Sequence, residues 1–375
     1  MTTIRLLKNG VEAFPTVFQS IGRSTSSIAV EMYIIANDET GRMFREGLVE
    51  ATKRGVAVRI LVDAWGSWNL KDDFWVDLRA AGGVVRWFHP LLKGLFPFRN
   101  HRKLLLVDDH IAYIGGMNIA DEYYRGAQGA PPWRDNVLEI DGPEVTWLRR
   151  SFMRMWNKAE SPYRKIFNWR SVTHQMRYVT GNAVRFFESG PDNRIRPIRQ
   201  AYRHVVESAV NKIDLAMSYF YPNGRLLRAL KRAVRRGVRV RLLFSRKTDV
   251  AIARWAACGL YGRLLRAGVE VWEYEPSVMH AKLAIADDTV IAGSANMDIR
   301  SGRINHELVA VVVDAALAGK ARMDFENDLV HSRRIHLADW AMRPMMQKLK
   351  ERISYFLLAR ADIFIARLEM ARKMR

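Results

Sequence analysis

The chain repeats itself once, and this duplication constrains its fold more than any other feature. Ile28-Ala-Val-Glu-Met-Tyr-Ile-Ile resembles Ile213-Asp-Leu-Ala-Met-Ser-Tyr-Phe. Lys53-Arg54-Gly55, followed by Val-Ala-Val-Arg-Ile-Leu-Val, recurs as Arg235-Arg236-Gly237 before Val-Arg-Val-Arg-Leu-Leu-Phe. Leu78-Arg-Ala-Ala-Gly82-Gly83-Val-Val-Arg-Trp recurs as Leu265-Arg-Ala-Gly268-Val-Glu-Val-Trp. In these last two pairs a helical stretch ends on a glycine, the residue that takes the left-handed position without Cβ strain, and a Val-rich strand follows. Strand–helix–strand order demands right-handed crossovers and a sheet covered by helices. The expected fold is therefore α/β: two duplicated halves, each a mostly parallel β-sheet flanked by helices. The halves are expected at residues 1–170 and 180–335, meeting in the weakly periodic basic stretch Arg164–Arg177, with a helical tail over 336–375.

The fourth repeated unit carries chemistry. His101-x-Lys103-x-x-x-x-Asp108 is followed by Gly115-Gly116-Met-Asn118, and His280-x-Lys282-x-x-x-x-Asp287 by Gly293-Ser294-Ala-Asn296. Residues two apart on a strand project to one face, so each His and Lys point together. Two halves related by a pseudo-twofold axis bring two imidazoles and two ammonium groups to one cleft. An anionic phosphodiester is the natural ligand: lysines offset its charge, and imidazoles serve as nucleophile and acid/base near neutral pH.

With these motifs, and with Trp133-Arg134-Asp135 and Asn305-His-Glu307, the chain resembles the phospholipase D superfamily, and within it the bacterial cardiolipin synthases that lack N-terminal membrane spans. The resemblance covers roughly residues 4–350. It implies phosphatidyl transfer between two phosphatidylglycerol molecules through a phosphohistidine, with release of glycerol. It implies no metal or other cofactor, because Lys103 and Lys282 supply positive charge. His101 is favoured as nucleophile and His280 as acid/base, although the sequence is symmetric here and allows the reverse. By the same resemblance, Glu307 pairs with His101 and Asp135 with His280. Asp108 and Asp287 belong to the catalytic motifs but end their strands, a mainly structural position. Asn118, Asn296 and Ser294 are expected to support phosphate or the loops around it.

Composition bears on the partner. Lys and Arg number 60 against 39 Asp and Glu, a net charge of +21, which favours polyanions such as acidic lipid or nucleic acid. The single cysteine, Cys258, excludes an intrachain disulfide. No run of about 20 apolar residues predicts a spanning helix. Two stretches favour lipid. The apolar loop before His101 offers Leu95, Phe96 and Phe98, with a buried connection as the alternative. The tail places Ile353, Phe356, Leu357, Ala361, Phe364, Ile365 and Leu368 on one helical face with arginines off it, fitting either an anionic bilayer or the protein's own surface. Pro344 starts this helix or breaks it from the one before. The expectation is a peripheral protein on the cytoplasmic face of a bacterial inner membrane, acting on phosphatidylglycerol or also phosphatidylethanolamine, with its oligomeric state open. Two readings compete: a phospholipase D that hydrolyses lipid to phosphatidic acid, and a nuclease whose Arg239 and Arg241 track a nucleic-acid backbone. The second leaves the apolar loop and the tail without a use.

Overall fold

A computed structural model describes residues 2–88, 98–160, 184–191, 196–298, 300–301 and 304–358. The first half contributes β1 (Thr3–Lys8), β2 (Ser27–Met32), β3 (Ala57–Asp63), β4 (Val84–Phe88), β5 (Leu104–Val107), β6 (Ile111–Gly115) and β7 (Asn136–Asp141). The second contributes β8 (Val184–Ser189), β9 (Lys212–Met217), β10 (Arg239–Lys247), β11 (Glu270–Val278), β12 (Lys282–Ala286), β13 (Thr289–Gly293), β14 (Glu307–Val313) and β15 (Ser332–Ile335). The first sheet runs β1-β7-β6-β5-β2-β3-β4, and the second β8-β14-β13-β12-β9-β10-β11-β15. The orders are the same, with β15 added at one edge.

Parallel pairing is confined to β2-β3-β4 and β9-β10-β11; the other neighbours are antiparallel. The sheets are thus mixed rather than mostly parallel. The helix-linked units have the expected crossover geometry. The strands after each histidine insert on the other side of β2 and β9 and run back as meanders.

The sheets pack face to face across a shared core. On β5, Leu104 and Leu106 enter this core while Leu105 and Val107 face the first half's own helices. On β12, Leu283 and Ile285 enter it while Ala284 and Ala286 face the second half's helices. Strands buried on both faces read as continuous apolar runs, as Leu104-Leu105-Leu106-Val107 does.

Asp108 and Asp287 close these strands at the ends away from the histidines. Asp108 accepts backbone N–H bonds from Thr25, Ser26 and Ser27 at 2.8–3.0 Å. Asp287 accepts the matching bonds from Val210, Asn211 and Lys212 at 2.7–3.0 Å. Each tethers the loop entering β2 or β9, which is a structural duty.

Pro344 sits between the helices Leu337–Ala341 and Met345–Phe356, at the N-cap of the latter. That second helix lies on Ala251–Leu265 of the second half. Gly259 permits the close approach, since a Cβ there would stand 3.1 Å from the Glu351 carbonyl oxygen. Arg343 pairs with the buried Glu351, and Lys350 stands over the Trp255 ring. The opposite face leaves Met345, Met346, Leu349, Ile353 and Phe356 exposed. The described part of the tail therefore both packs on the protein and presents an apolar face. Leu95, Phe96 and Phe364 lie outside the described residues, as do Ala361, Ile365 and Leu368; Phe98 is half-buried.

Candidate active site

His101 and His280 lie just before β5 and β12, and both are stitched to the opposite half. The His101 backbone N–H donates to the His306 carbonyl at 3.0 Å, and that of His280 donates to the Arg134 carbonyl at 2.7 Å. The residue after each acceptor is the carboxylate that meets the histidine ring. His101 Nδ1 lies 3.0 and 3.1 Å from the Glu307 carboxylate oxygens, and His280 Nδ1 lies 2.7 Å from Asp135 Oδ2. The crossed pairing is symmetric because the backbone bridges that set it are symmetric.

The supports differ between halves. The Ser294 hydroxyl donates to Glu307 and accepts the Leu308 N–H at 3.0 Å. At the equivalent place the first half has Gly116, where a Cβ would stand 2.4 Å from Asp135 Oδ1. Glycine there is a requirement of close approach. Asn118 bridges the Ile34 N–H and the Tyr123 hydroxyl, at 3.2 and 2.8 Å. The Asn296 backbone N–H donates to Ser301 Oγ at 3.2 Å.

Lys103 Nζ donates to the His101 carbonyl at 2.8 Å, and Lys282 Nζ lies 2.9 and 3.1 Å from the two His280 ring nitrogens. Both ammonium groups are buried, which disfavours their charged forms: Lys103 is pushed down to about 7 and Lys282 to about 8. Burial also pushes His101 down to about 4 and lowers His280, which the neighbouring Lys282 depresses further. At neutral pH His101 is uncharged. With Nδ1–H held by Glu307, its Nε2 keeps a lone pair for attack. An anion placed between the lysines would supply the counter-charge that their burial calls for.

One cleft of about 890 Å³ holds His101, His280, Asn118 and Asn296 together. Of the aromatic groups around the histidines, Trp133 belongs to a motif quoted from the sequence, whereas Tyr33 and Tyr123 were not singled out. Tyr33 meets the His101 ring edge-on with centroids 4.8 Å apart, and Tyr123 and Trp133 flank His280 at 5.4 and 5.7 Å. Tyr33 directly follows β2, and ligands in open α/β sheets sit at the carboxyl ends of strands, a rule that locates it. Trp65 and Trp68, exposed beyond the end of β3, also escaped notice; Trp68 lines the cleft, as does Leu358 opposite. Among the described residues no cluster of three or more His, Cys, Asp or Glu is arranged to hold a metal ion.

The arginines of the nuclease reading are engaged elsewhere. Arg241 is buried against Asp214 and Glu326, at 2.6 and 2.7 Å, and Arg239 pairs with Glu270 at 2.6 Å. Neither offers a free cation to a nucleic-acid backbone.

Residues 17–156 and 202–329 match the family profile described as cardiolipin synthase, PLD-like domain. The chain is 33% identical over 362 residues to a cardiolipin synthase of Geobacillus sp., covering 95% of this chain and 72% of that one. It is 32% identical over 370 residues to the major cardiolipin synthase ClsA of Bacillus subtilis, covering 95% and 74%. Among solved structures, the phosphatidylserine synthase of Haemophilus influenzae superposes with a TM-score of 0.72 at 14% identity, covering 97% of this chain and 94% of that one. A polyphosphate kinase from Porphyromonas gingivalis superposes with a TM-score of 0.61 at 14% identity, covering 90% of this chain and 49% of that one. At such identities these two structures speak for the fold alone.

Proposed function

The chain belongs to the phospholipase D-like family of cardiolipin synthases, and on that premise we propose that it joins two phosphatidylglycerol molecules into cardiolipin and glycerol. The observation that carries this reading is the pair of histidines in one cleft, each bonded through Nδ1 to a carboxylate of the other half.

His101 Nε2 attacks phosphorus, the bond from phosphorus to the headgroup oxygen breaks, and His280 gives its proton to the departing glycerol. The hydroxyl of a second phosphatidylglycerol then loses its proton to His280. Its oxygen bonds to phosphorus, and the phosphorus–nitrogen bond breaks. Lys103 and Lys282 neutralise the non-bridging oxygens as charge builds. Glu307 and Asp135 hold the ring tautomers and stabilise the imidazolium forms.

The enzyme is a peripheral one that meets the bilayer with the exposed face of Met345–Phe356 and with Trp65 and Trp68, on the cytoplasmic side of the inner membrane. Among the described residues no helix is long and apolar enough to cross a membrane. The basic surface, at a net charge of +21, suits anionic phosphatidylglycerol. The units of the chain are the two halves, 1–170 and 180–335, and the tail, 336–375.

The test is capture of the covalent intermediate. His280→Ala, mixed with phosphatidylglycerol vesicles and digested, should yield a phosphatidyl adduct on the peptide carrying His101. Full turnover by His101→Ala would sink the mechanism.

A further inference from the structure

The cleft has unlike walls, and the difference lies beside His280. Asp63 ends β3 and accepts the Asn100 N–H at 2.7 Å; in the second half Ser245 on β10 accepts the Met279 N–H at 2.7 Å. These positions are equivalent, which fixes the register of the loops that follow. Four residues on, the first half has Ser67, its hydroxyl tied to the backbone at Tyr33 and Ile35. The second half has Asp249, which lines the cleft. The Tyr219 hydroxyl donates to Asp249 Oδ1 at 2.6 Å, and the other carboxylate oxygen accepts no hydrogen bond from a described residue. The field of this carboxylate reaches His280 and Lys282, where it favours the protonated forms. By contrast, Asp38, which also lines the cleft, spends both carboxylate oxygens on the backbone N–H groups of Gly41 and Asp121, and Asp298 is buried and gives one oxygen to that of Ser301.

An exposed carboxylate beside a phosphodiester site repels the phosphate and attracts hydroxyl donors. In the proposed reaction His280 handles both alcohols, the departing glycerol and the incoming glycerol headgroup. Each carries a second hydroxyl next to the reacting one. We propose that Asp249, oriented by Tyr219, is a specificity-determining residue that selects vicinal diols as leaving and accepting alcohols. This rests on the transfer reading above. Transfer to a soluble alcohol is balanced in the same way: the alcohol oxygen bonds to phosphorus, the phosphohistidine bond breaks, and the proton passes to His280.

The experiment offers the full-length protein phosphatidylglycerol vesicles with equimolar 1,2-propanediol and 1-propanol, which differ by one hydroxyl. The ratio of the two phosphatidyl-alcohol products is read by mass spectrometry. It does not depend on how much enzyme is active, so a merely structural defect leaves it unmoved. The unaltered protein should favour the diol by about tenfold or more, as expected for a hydrogen bond to a charged group. Asp249→Ala should bring the ratio near one, and Tyr219→Phe should lower it partway. An equal preference in Asp249→Ala and the unaltered protein would overturn the assignment of Asp249. Phosphatidic acid with neither alcohol product would overturn the transfer reading, and the diol selection with it.

Discussion

At the scale of residues, reactivity depends on burial and on what holds each ring. Glu307 keeps the proton of His101 on Nδ1, and Ser294 holds Glu307. Glu307→Gln preserves shape but loses the charge and the fixed tautomer. It should lower kcat by about 10²–10⁴-fold, with KM little changed. Ser294→Ala should cost about tenfold or less in kcat. The pH dependence follows from the lysines. In the proposed reaction their ammonium forms bind the anionic phosphodiester, and in the free cleft they lose protons near pH 7 for Lys103 and near 8 for Lys282. Hence kcat/KM should fall as pH rises through 7–8, while kcat, set in the complex where phosphate restores the charge, should fall later. Stopped-time assays across pH 6–9 separate the two profiles. The histidines and lysines were legible because their motif occurs twice at equivalent places in the duplicated chain, although His101, Lys103 and His280 precede their strands. The crossed carboxylates came only from the family resemblance, since their pairing is made by backbone bridges between halves. Trp133 came with the quoted motif, but Asp249 and Tyr123 were not legible, because segments distant in sequence bring them to one place.

At the scale of elements, fully buried strands such as β5 and β12 show where a strand lies but not its direction. That is why the sequence overstated parallel pairing. The helix Met345–Phe356 illustrates a different limit. Its packed face is held by Gly259, by the buried Arg343–Glu351 pair and by Lys350 over Trp255, none of which is an apolar stripe. Apart from Tyr355, which packs against the second half's core, its apolar residues are exposed. Replacing Met345, Met346 and Leu349 together by Ser should weaken binding to anionic vesicles by about tenfold or more, with thermal stability unchanged. Cosedimentation checks the first and a melting curve the second. Asp108→Ala removes the acceptor for three backbone N–H groups, so it should lower the melting temperature while leaving the cleft chemistry in place at low temperature.

At the scale of the molecule, the duplication makes one site from two sheets, and buried ion pairs lock the halves together. Arg134 reaches Asp328 at 2.8 Å, and Arg102, beside His101, meets Glu31 and Glu188 at 3.1 Å. Asp328→Ala strands the Arg134 charge and should cost about 3–5 kcal/mol of stability, read from the denaturant midpoint. This joined site transfers a phosphatidyl group between lipids rather than to water. The most direct test of that is to incubate the purified protein with phosphatidylglycerol vesicles and analyse the products. Cardiolipin with an equimolar yield of glycerol is the predicted result; phosphatidic acid without cardiolipin would contradict it.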